Sequence, residues 1–233
     1  PGHTGDYVLD GKVQLDGTIR LNTLITGGVP RDVVIPSTYD GKRISSFTST
    51  MFQGNPYISS LLIKAGGVEY IYDDSFKGCT ALTSIAIEPG ISELPYGAFR
   101  DCTALTSITI PGVTIIGGYV FAGCTALTSI IIPDSVTCIG TCAFRDCTSL
   151  TSVTIPDSVT WLQSRSFEGC AALTSVTIPD SVTNVGYDVF TDCTSLTSVK
   201  FQGDAPSVND PPYVFAVNSP LTVYYNPGAS GFT

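Results

Sequence analysis

The chain has 233 residues, enough for one substantial core, and carries a formal net charge of −9 with a pI of about 4.3. With only 11 lysine and arginine residues and no basic run, so acidic a chain has no general attraction to nucleic acid or to an anionic membrane. A single histidine, His3, excludes most histidine-dependent catalysis and zinc binding, and no apolar stretch approaches the ~18 residues that a membrane span needs.

An N-terminal cap is the first element that the sequence predicts, over residues 1–31. Residues 7–21, YVLDGKVQLDGTIRL, alternate apolar and polar side chains and contain Asp-Gly pairs at Asp10 and Asp16. This pattern is typical of a β-hairpin or a three-stranded meander. We expect the cap to cover the first unit of the next segment and to block edge-to-edge strand pairing.

Residues 32–202 form a repeat in which a cysteine recurs at separations of 23, 22, 23, 23 and 23 residues. These ladder cysteines are Cys79, Cys102, Cys124, Cys147, Cys170 and Cys193. An L-x-x-V-x-I pattern, or a close variant of it with other apolar residues, follows each of them. At Leu150, Val153 and Ile155 the pattern is followed by Pro156, which predicts the end of a short strand. The return arm that follows is predicted to be irregular coil or one helical turn. Units this small bury their apolar faces only when they stack.

The position of the ladder cysteines is occupied by asparagine at both ends of the repeat, at Asn55 and Asn218. Asparagine and cysteine share modest size and the ability to hydrogen-bond the backbone, but little redox or metal chemistry. We therefore predict an internal ladder of free, buried thiols that satisfies backbone groups of the loops. A disulfide framework, a metal site and a nucleophile are the alternatives, and the repeat offers no C-x-x-C pair or histidine to support them.

Residues 203–233 are predicted to contain an irregular segment and a C-terminal capping strand. The proline-rich stretch GDAPSVNDPPYVF, residues 203–215, departs from the repeat and is expected to bulge before the final unit. The strand LTVYY then closes the array.

The repeat resembles the bacterial leucine-rich repeat proteins of the BspA-like, or Treponema-type, class. The residues that carry the resemblance are AFRDCTSLTSVTIPDSVTWL, residues 143–162, and their in-phase copies. The resemblance implies an α/β solenoid: a right-handed superhelix with one parallel β-sheet of short strands and mostly irregular or short helical return arms. It also implies a secreted or cell-surface setting and a concave sheet surface that binds partners.

Ligand-binding residues are predicted from this resemblance at the outward strand positions that differ between repeats and at the charges beside them. These residues are Leu62, Lys64, Glu88, Thr109, Ile131, Thr154, Thr177 and Lys200. A second row, which runs from Ser60 to Ser198, is serine in every repeat, and we attribute it to strand packing.

Two further cysteines, Cys138 and Cys142, lie outside the ladder. A local disulfide and a reactive thiol are the functional alternatives there, but we favour ordinary sequence variation at surface-facing positions. We likewise interpret the aromatic residues of the return arms as ordinary surface. They are Tyr96, Tyr119, Trp161 and Tyr187.

No paired carboxylates, phosphate loop or zinc signature appears in the sequence, so we predict no enzymatic activity, no cofactor and no metal site. The predicted function is a monomeric adhesion module that binds a protein or glycan, such as a host matrix protein or another cell surface, without nucleic-acid binding or membrane insertion. The alternative is a structural spacer that presents another domain and has no ligand of its own.

Overall fold

A computed structural model describes residues 8–13, 19–25, 31–39, 41–47, 49, 51–204, 207–208 and 220–225 of the protein. Its strands are numbered β1 to β19 in chain order. Successive repeats stack as coils of a solenoid. Each coil contributes one strand to a main sheet, and six coils also contribute one short strand to a second sheet.

The main sheet contains the strands that the L-x-x-V-x-I pattern predicts. They are β3 (Arg31–Ile35), β6 (Ile58–Ile63), β7 (Ser84–Ile87), β9 (Ser107–Thr109), β11 (Ser129–Ile131), β13 (Ser152–Thr154), β15 (Ser175–Ile178), β17 (Ser198–Phe201) and β19 (Thr222–Tyr224). Within each ladder neighbouring strands pair in parallel, and equivalent residues of successive coils face each other, as Ser129 with Ser152 and Ile131 with Thr154 show. The pairing of β3 with β6 contains a register shift between Arg31 and Asp32. The single predicted sheet is divided into two hydrogen-bonded ladders, because β9 and β11 are in contact but do not pair.

The return arms contain a second parallel sheet, and the prediction of short helical return arms is wrong. Its strands are β8 (Glu93–Leu94), β10 (Ile115–Ile116), β12 (Cys138–Ile139), β14 (Trp161–Leu162), β16 (Asn184–Val185) and β18 (Ser207–Val208). No helix occurs in the described part of the chain, and hence none that is long and apolar enough to cross a membrane.

At the N-terminal end, β1 (Val8–Val13) and β2 (Ile19–Ile25) pair as antiparallel strands. The strand β2 then pairs in parallel with β5 (Lys42–Phe47), which also pairs with β4 (Thr38–Tyr39). At the opposite end, β19 adds to β17 as the last strand of the main sheet. Most of the proline-rich stretch that was predicted to bulge, and Asn218, lie outside the described residues.

The core is a set of apolar rows that run along the solenoid, and a row of phenylalanine rings is its centre. Each ring is fully buried and follows the next at 5.2–5.9 Å between centroids, with interplanar angles of 5–20° from Phe76 to Phe190. Offset stacking of this kind adds ~0.5–1.5 kcal/mol per pair to the burial itself. Leucine, isoleucine and valine from the two strands of each coil pack around these rings.

Backbone hydrogen bonds between coils explain why the return arms are not helical. In the fourth of the six cysteine-containing coils, the N–H groups of Cys142, Phe144 and Asp146 donate along the solenoid axis to the next coil, at 2.8–3.0 Å. The first and third of these residues have left-handed backbone, with φ of 55° and 57°. The same alternation occurs in the neighbouring coils and is incompatible with the repeated right-handed φ of a helix.

Candidate functional site

The ladder cysteines are buried, free scaffold residues whose thiols hydrogen-bond the preceding coil. All six are 0% exposed, and none forms a disulfide. Each sulfur lies 3.0–3.3 Å from the carbonyl oxygen of the phenylalanine one coil earlier, as Cys147 does from Phe121. At the equivalent position, the side-chain oxygen of Asn55 accepts a hydrogen bond from the backbone N–H of Tyr57 at 2.9 Å.

Burial makes these thiols poor nucleophiles. It raises the pKa of Cys79 and of Cys124 to about 12, and it also raises the pKa of Cys102 and of Cys147. Since the thiolate is the reactive species, such cysteines are inert while the protein is folded. Among the described residues no group of three or more histidine, cysteine, aspartate or glutamate side chains could hold a metal ion.

The sheet face is defined as the outward side chains of β9, β11, β13 and β15. It is uncharged, because each of these strands presents serine at its first position and Thr109, Ile131, Thr154 or Thr177 two residues later, all of them exposed. Ile131 is the exception in this hydroxyl-rich surface, with 85% of its area exposed.

The other residues predicted as ligand-binding lie outside these four strands. Lys64 and Glu88 form an exposed ion pair at 2.7 Å, and Glu88 also accepts a hydrogen bond from the backbone N–H of Ala65 at 3.0 Å. These contacts, with that of Lys64 first, lower the pKa of Glu88. Leu62 is half-buried at the N-terminal end, whereas Lys200 is exposed at the C-terminal end. Lys200 pairs directly with Thr177, and Leu62 lies in the same row two strands from Thr109. The structure therefore continues the row from Thr109 to Thr177 with these two residues, whereas Lys64 and Glu88 lie just beyond the ends of their strands.

The two cysteines outside the ladder differ from each other. Cys142 is 1% exposed, so its interpretation as a surface-facing residue is wrong. Cys138 is half-buried, and the side-chain N–H of Gln163 donates to its sulfur at 3.3 Å. Burial, partly offset by this hydrogen bond, raises the pKa of Cys138. Both cysteines are free.

A second candidate surface, here called the turn-side groove, lies where the return arms turn before each ladder cysteine. It contains two cavities that share Tyr119 as a wall. The larger, of about 360 Å³, is lined by Tyr119, Thr141, Cys142, Ser164, Arg165, Tyr187 and Asp188. The smaller, of about 250 Å³, is lined by Arg100, Asp101, Tyr119, Ala122, Gly123, Arg145 and Asp146.

Charged side chains of the groove are arranged as a chain of ion pairs. Arg165 lies 3.2 Å from Asp188 and 3.8 Å from Glu168, and Glu168 lies 3.4 Å from Arg145. Arg145 is also 3.4 Å from Asp146. The side chain of Glu168 is the least exposed of these groups, at 16%, and its carboxylate lies within ion-pair distance of both Arg145 and Arg165.

Three of the four aromatic residues of the return arms lie at the groove, whereas Trp161 is exposed on the second sheet. The rings of Tyr96 and Tyr119 are 5.2 Å apart, and the guanidinium of Arg100 lies 5.3 Å from the centroid of the Tyr119 ring. Hydrogen bonding to Cys142 raises the pKa of Tyr119. Tyr187 is 49% exposed and lies at the far wall of the larger cavity.

The residue type five positions before each ladder cysteine is a sequence feature that indicates the groove. The backbone has positive φ at this position in all six coils. Three coils have residues that adopt this conformation readily, Asp74, Gly97 and Asp188. The three coils between them have Tyr119, Cys142 and Arg165, with φ of 55–59°. These residues, from three consecutive coils, adopt left-handed backbone only at a cost in free energy, and all three line the larger cavity.

The chain matches the repeat family described as "BspA type leucine rich repeat region". The match comprises 6 copies, over residues 34–127 and 114–222. These ranges cover most of the chain and include both candidate surfaces. The chain has no match among the curated proteins.

Several solved bacterial structures are similar to this fold. A leucine rich cell surface protein from Faecalibacterium prausnitzii A2-165 is 29% identical with a TM-score of 0.69, and the match covers 86% of this chain and 54% of that protein. The Treponema pallidum leucine rich repeat protein is 26% identical with a TM-score of 0.59, over 84% of each chain. A leucine-rich repeat protein from Bacteroides ovatus, 24% identical with a TM-score of 0.59, covers 96% of this chain and 70% of its own length and shares the fold. The chain thus spans about half the length of the F. prausnitzii protein.

Proposed function

Because this chain belongs to the BspA-type leucine-rich repeat family, we propose that it is a non-enzymatic adhesion module of a secreted or cell-surface bacterial protein. The setting is supported by the similar F. prausnitzii protein, which is described as a leucine rich cell surface protein. A solenoid fold alone does not select a partner, so the choice of ligand has to come from the surface.

Ile131 is the observation that carries the proposal. A large apolar side chain that is 85% exposed on the face of the main sheet is unfavourable for an isolated chain, because water must surround it. Its neighbours across the sheet, Thr109 and Thr154, are small, uncharged and exposed. A central anchor surrounded by contacts that add little energy but exclude water is the usual arrangement of a protein-binding hot spot.

The partner that fits this surface is a protein with an uncharged patch and an apolar pocket for the Ile131 side chain. No ionised side chain occupies the outward positions of β9, β11, β13 and β15. Binding through this face should therefore depend weakly on salt, unlike binding to an anionic polymer. Host matrix proteins and proteins of another cell surface are the candidate partners.

The test is a binding screen in which the immobilised chain meets collagen, laminin, fibronectin and surface proteins of neighbouring bacteria. Ile131→Ser should weaken binding at least tenfold, which corresponds to ~1.4 kcal/mol. The matched control is Ile115→Ser, which changes another exposed isoleucine, on the second sheet. Equal binding by wild type and Ile131→Ser would contradict the assignment of the partner site to the sheet face.

A structural spacer is the second candidate function. The repetition of exposed serine at the first position of four successive strands favours it, because these positions do not distinguish one coil from the next. Absence of binding to every partner in the screen, by a chain that is folded by circular dichroism, supports the spacer and refutes the adhesion module.

A further inference from the structure

We infer that the turn-side groove binds an uncharged oligosaccharide, at a site separate from the sheet face. The two cavities and their shared wall, Tyr119, carry this inference. The larger cavity, at about 360 Å³, reaches the ~300 Å³ at which small-molecule sites begin. The smaller one extends the groove towards the N-terminal coils, to Arg100 and Asp101.

The charges of the groove exclude a strongly charged ligand. Three arginines and three aspartates line the two cavities, and with Glu168 beside two of the arginines the formal charge of the groove is only −1. The arginines are already opposed by carboxylates: Arg100 by Asp101 at 3.5 Å, Arg145 by Asp146 and Glu168, and Arg165 by Asp188. An anionic polymer would have to displace these carboxylates, and a cationic peptide would meet the arginines. A neutral ligand neither displaces the carboxylates nor is repelled by the arginines.

The aromatic rings provide flat apolar walls. Tyr119 and Tyr187 stand in the same cavity, and Tyr96 extends the aromatic surface on the other side of Tyr119 at 5.2 Å between ring centroids. A tyrosine ring presents an apolar face and a polar edge. Sugar rings have the complementary distribution, with C–H groups on their faces and hydroxyl groups at their edges.

Hydrogen-bonding groups stand beside these rings at fixed positions. Arg165 donates to Asp188 through both Nε and a terminal nitrogen, at 3.3 and 3.2 Å, which holds the two planar groups together at the cavity wall. Asp188 uses only Oδ2 in these bonds, and its Oδ1 accepts the hydroxyl of Thr191 at 3.4 Å. Each carboxylate oxygen has a further lone pair, and a guanidinium has five N–H donors. The hydroxyl of Ser164 accepts the N–H of Tyr187 at 3.2 Å, which orients it in the same cavity. Neighbouring hydroxyls of a sugar can bind such paired donors and acceptors.

Backbone strain indicates that the side chains of the groove are retained for something other than stability. Tyr119, Cys142 and Arg165 occupy a left-handed position that Asp74 and Gly97 occupy without difficulty in the first two coils. A residue other than glycine, asparagine or aspartate at such a position costs ~1–3 kcal/mol. The cost occurs in three consecutive coils and only where the side chains line the larger cavity.

The direction of the groove follows from the stacking of the coils. Its lining residues belong to successive coils from Arg100 to Asp188, and adjacent parallel strands are ~4.8 Å apart. The larger cavity therefore spans four successive coils along the solenoid axis and the smaller one three, and the two meet at Tyr119. An elongated ligand of at least two sugar units fits this arrangement better than a monosaccharide.

The test measures binding of the full chain to neutral oligosaccharides by isothermal titration calorimetry. The probes are maltohexaose, cellohexaose, mannohexaose, xylohexaose and chitohexaose, with oligogalacturonate, a heparin fragment and a lysine-rich peptide as charged comparisons. We expect at least one neutral probe to bind, and more tightly than its monosaccharide. Tyr187→Ala and Arg165→Asn should each weaken that binding at least tenfold.

The control variant is Ile131→Ser, which changes the sheet face and should leave oligosaccharide binding unchanged. This control separates the two proposals. If the chain binds no protein in the screen but still binds an oligosaccharide, the adhesion proposal fails and the oligosaccharide proposal stands. The inference is overturned if no neutral probe binds, if Tyr187→Ala binds like wild type, or if a charged probe binds more tightly than every neutral one.

Discussion

The thiol of Cys147 donates a hydrogen bond to the carbonyl oxygen of Phe121, one coil earlier, at 3.2 Å. The same oxygen accepts the backbone N–H of Cys124 at 3.1 Å. One buried carbonyl is thus satisfied from its own coil and from the following one, which is how a small side chain joins adjacent coils. Sulfur is suited to this position because it fills apolar space and still donates weakly.

The burial of the thiols predicts their labelling. In the native protein only Cys138, which is half-buried, should react with a maleimide within minutes, while the other seven cysteines should react only after unfolding. Mass spectrometry of the labelled chain counts the modified thiols. A pair that stays unlabelled in denaturant until a reductant is added would indicate a disulfide and contradict the ladder.

Alkaline pH should destabilise the fold through the same thiols. The pKa of Cys79 and of Cys124 is about 12 in the folded chain and ~8.5 when exposed, so between these values the unfolded state binds fewer protons. Each such thiol then removes ~1.4 kcal/mol of unfolding free energy per pH unit from about pH 9 to pH 12, and below ~8.5 its contribution is complete. Urea denaturation at pH 7, 9, 10 and 11 measures the slope, and Cys124→Ala should make it shallower.

The row of phenylalanine rings should be the part of the core most sensitive to truncation. Phe144 lies between Phe121 and Phe167 at 5.4 and 5.2 Å, so Phe144→Ala removes two stacking contacts and leaves a cavity. We expect a loss of ~3–5 kcal/mol of unfolding free energy in denaturant titration. Phe144→Leu, which keeps most of the apolar volume, should lose less, and equal losses would show that the row does not act through packing.

The main sheet could be predicted from the sequence because its signal is repeated. Leu150, Val153 and Ile155 mark a strand only weakly, but the same spacing in successive coils fixes the period and the register. The sheet face could be predicted for the same reason, since outward positions alternate with buried ones.

The return arms could not be predicted because their conformation is set by neighbouring coils. Trp161 and Leu162 form a strand of two residues, too short for a periodic pattern, and only pairing with β12 and β16 defines it. The turn before Cys147 resembles a helical turn locally, yet axial hydrogen bonds impose positive φ at Cys142 and Asp146. The cavities of the turn-side groove form only when coils in this conformation stack, so the sequence of one repeat does not predict them.

Two serines at equivalent positions predict opposite effects of the same substitution. Ser166 is fully buried and its hydroxyl has no hydrogen-bond partner, whereas the buried hydroxyl of Ser75 donates to the carbonyl oxygen of Tyr72 at 2.7 Å. Ala143 occupies the same position one coil before Ser166. Ser166→Ala should therefore raise the free energy of unfolding by ~1 kcal/mol, and Ser75→Ala should lower it by a similar amount, in parallel urea titrations. Destabilisation by Ser166→Ala would reveal a partner for its hydroxyl.

Relief of backbone strain at the turn-side groove should increase stability. Arg165 has φ of 59° and its exposed ion pair with Asp188 contributes ~1 kcal/mol or less, so Arg165→Asn loses little and gains a residue that tolerates left-handed backbone. We expect the free energy of unfolding to rise by about 1 kcal/mol, from the ~1–3 kcal/mol cost of such a position, measured by urea denaturation. The control is Asp192→Asn, whose φ of 59° already belongs to a tolerant residue and whose stability should change by less than ~0.5 kcal/mol. A fall in stability on Arg165→Asn would mean that the arginine is kept for the fold, and the strain would then be no indication of a ligand site.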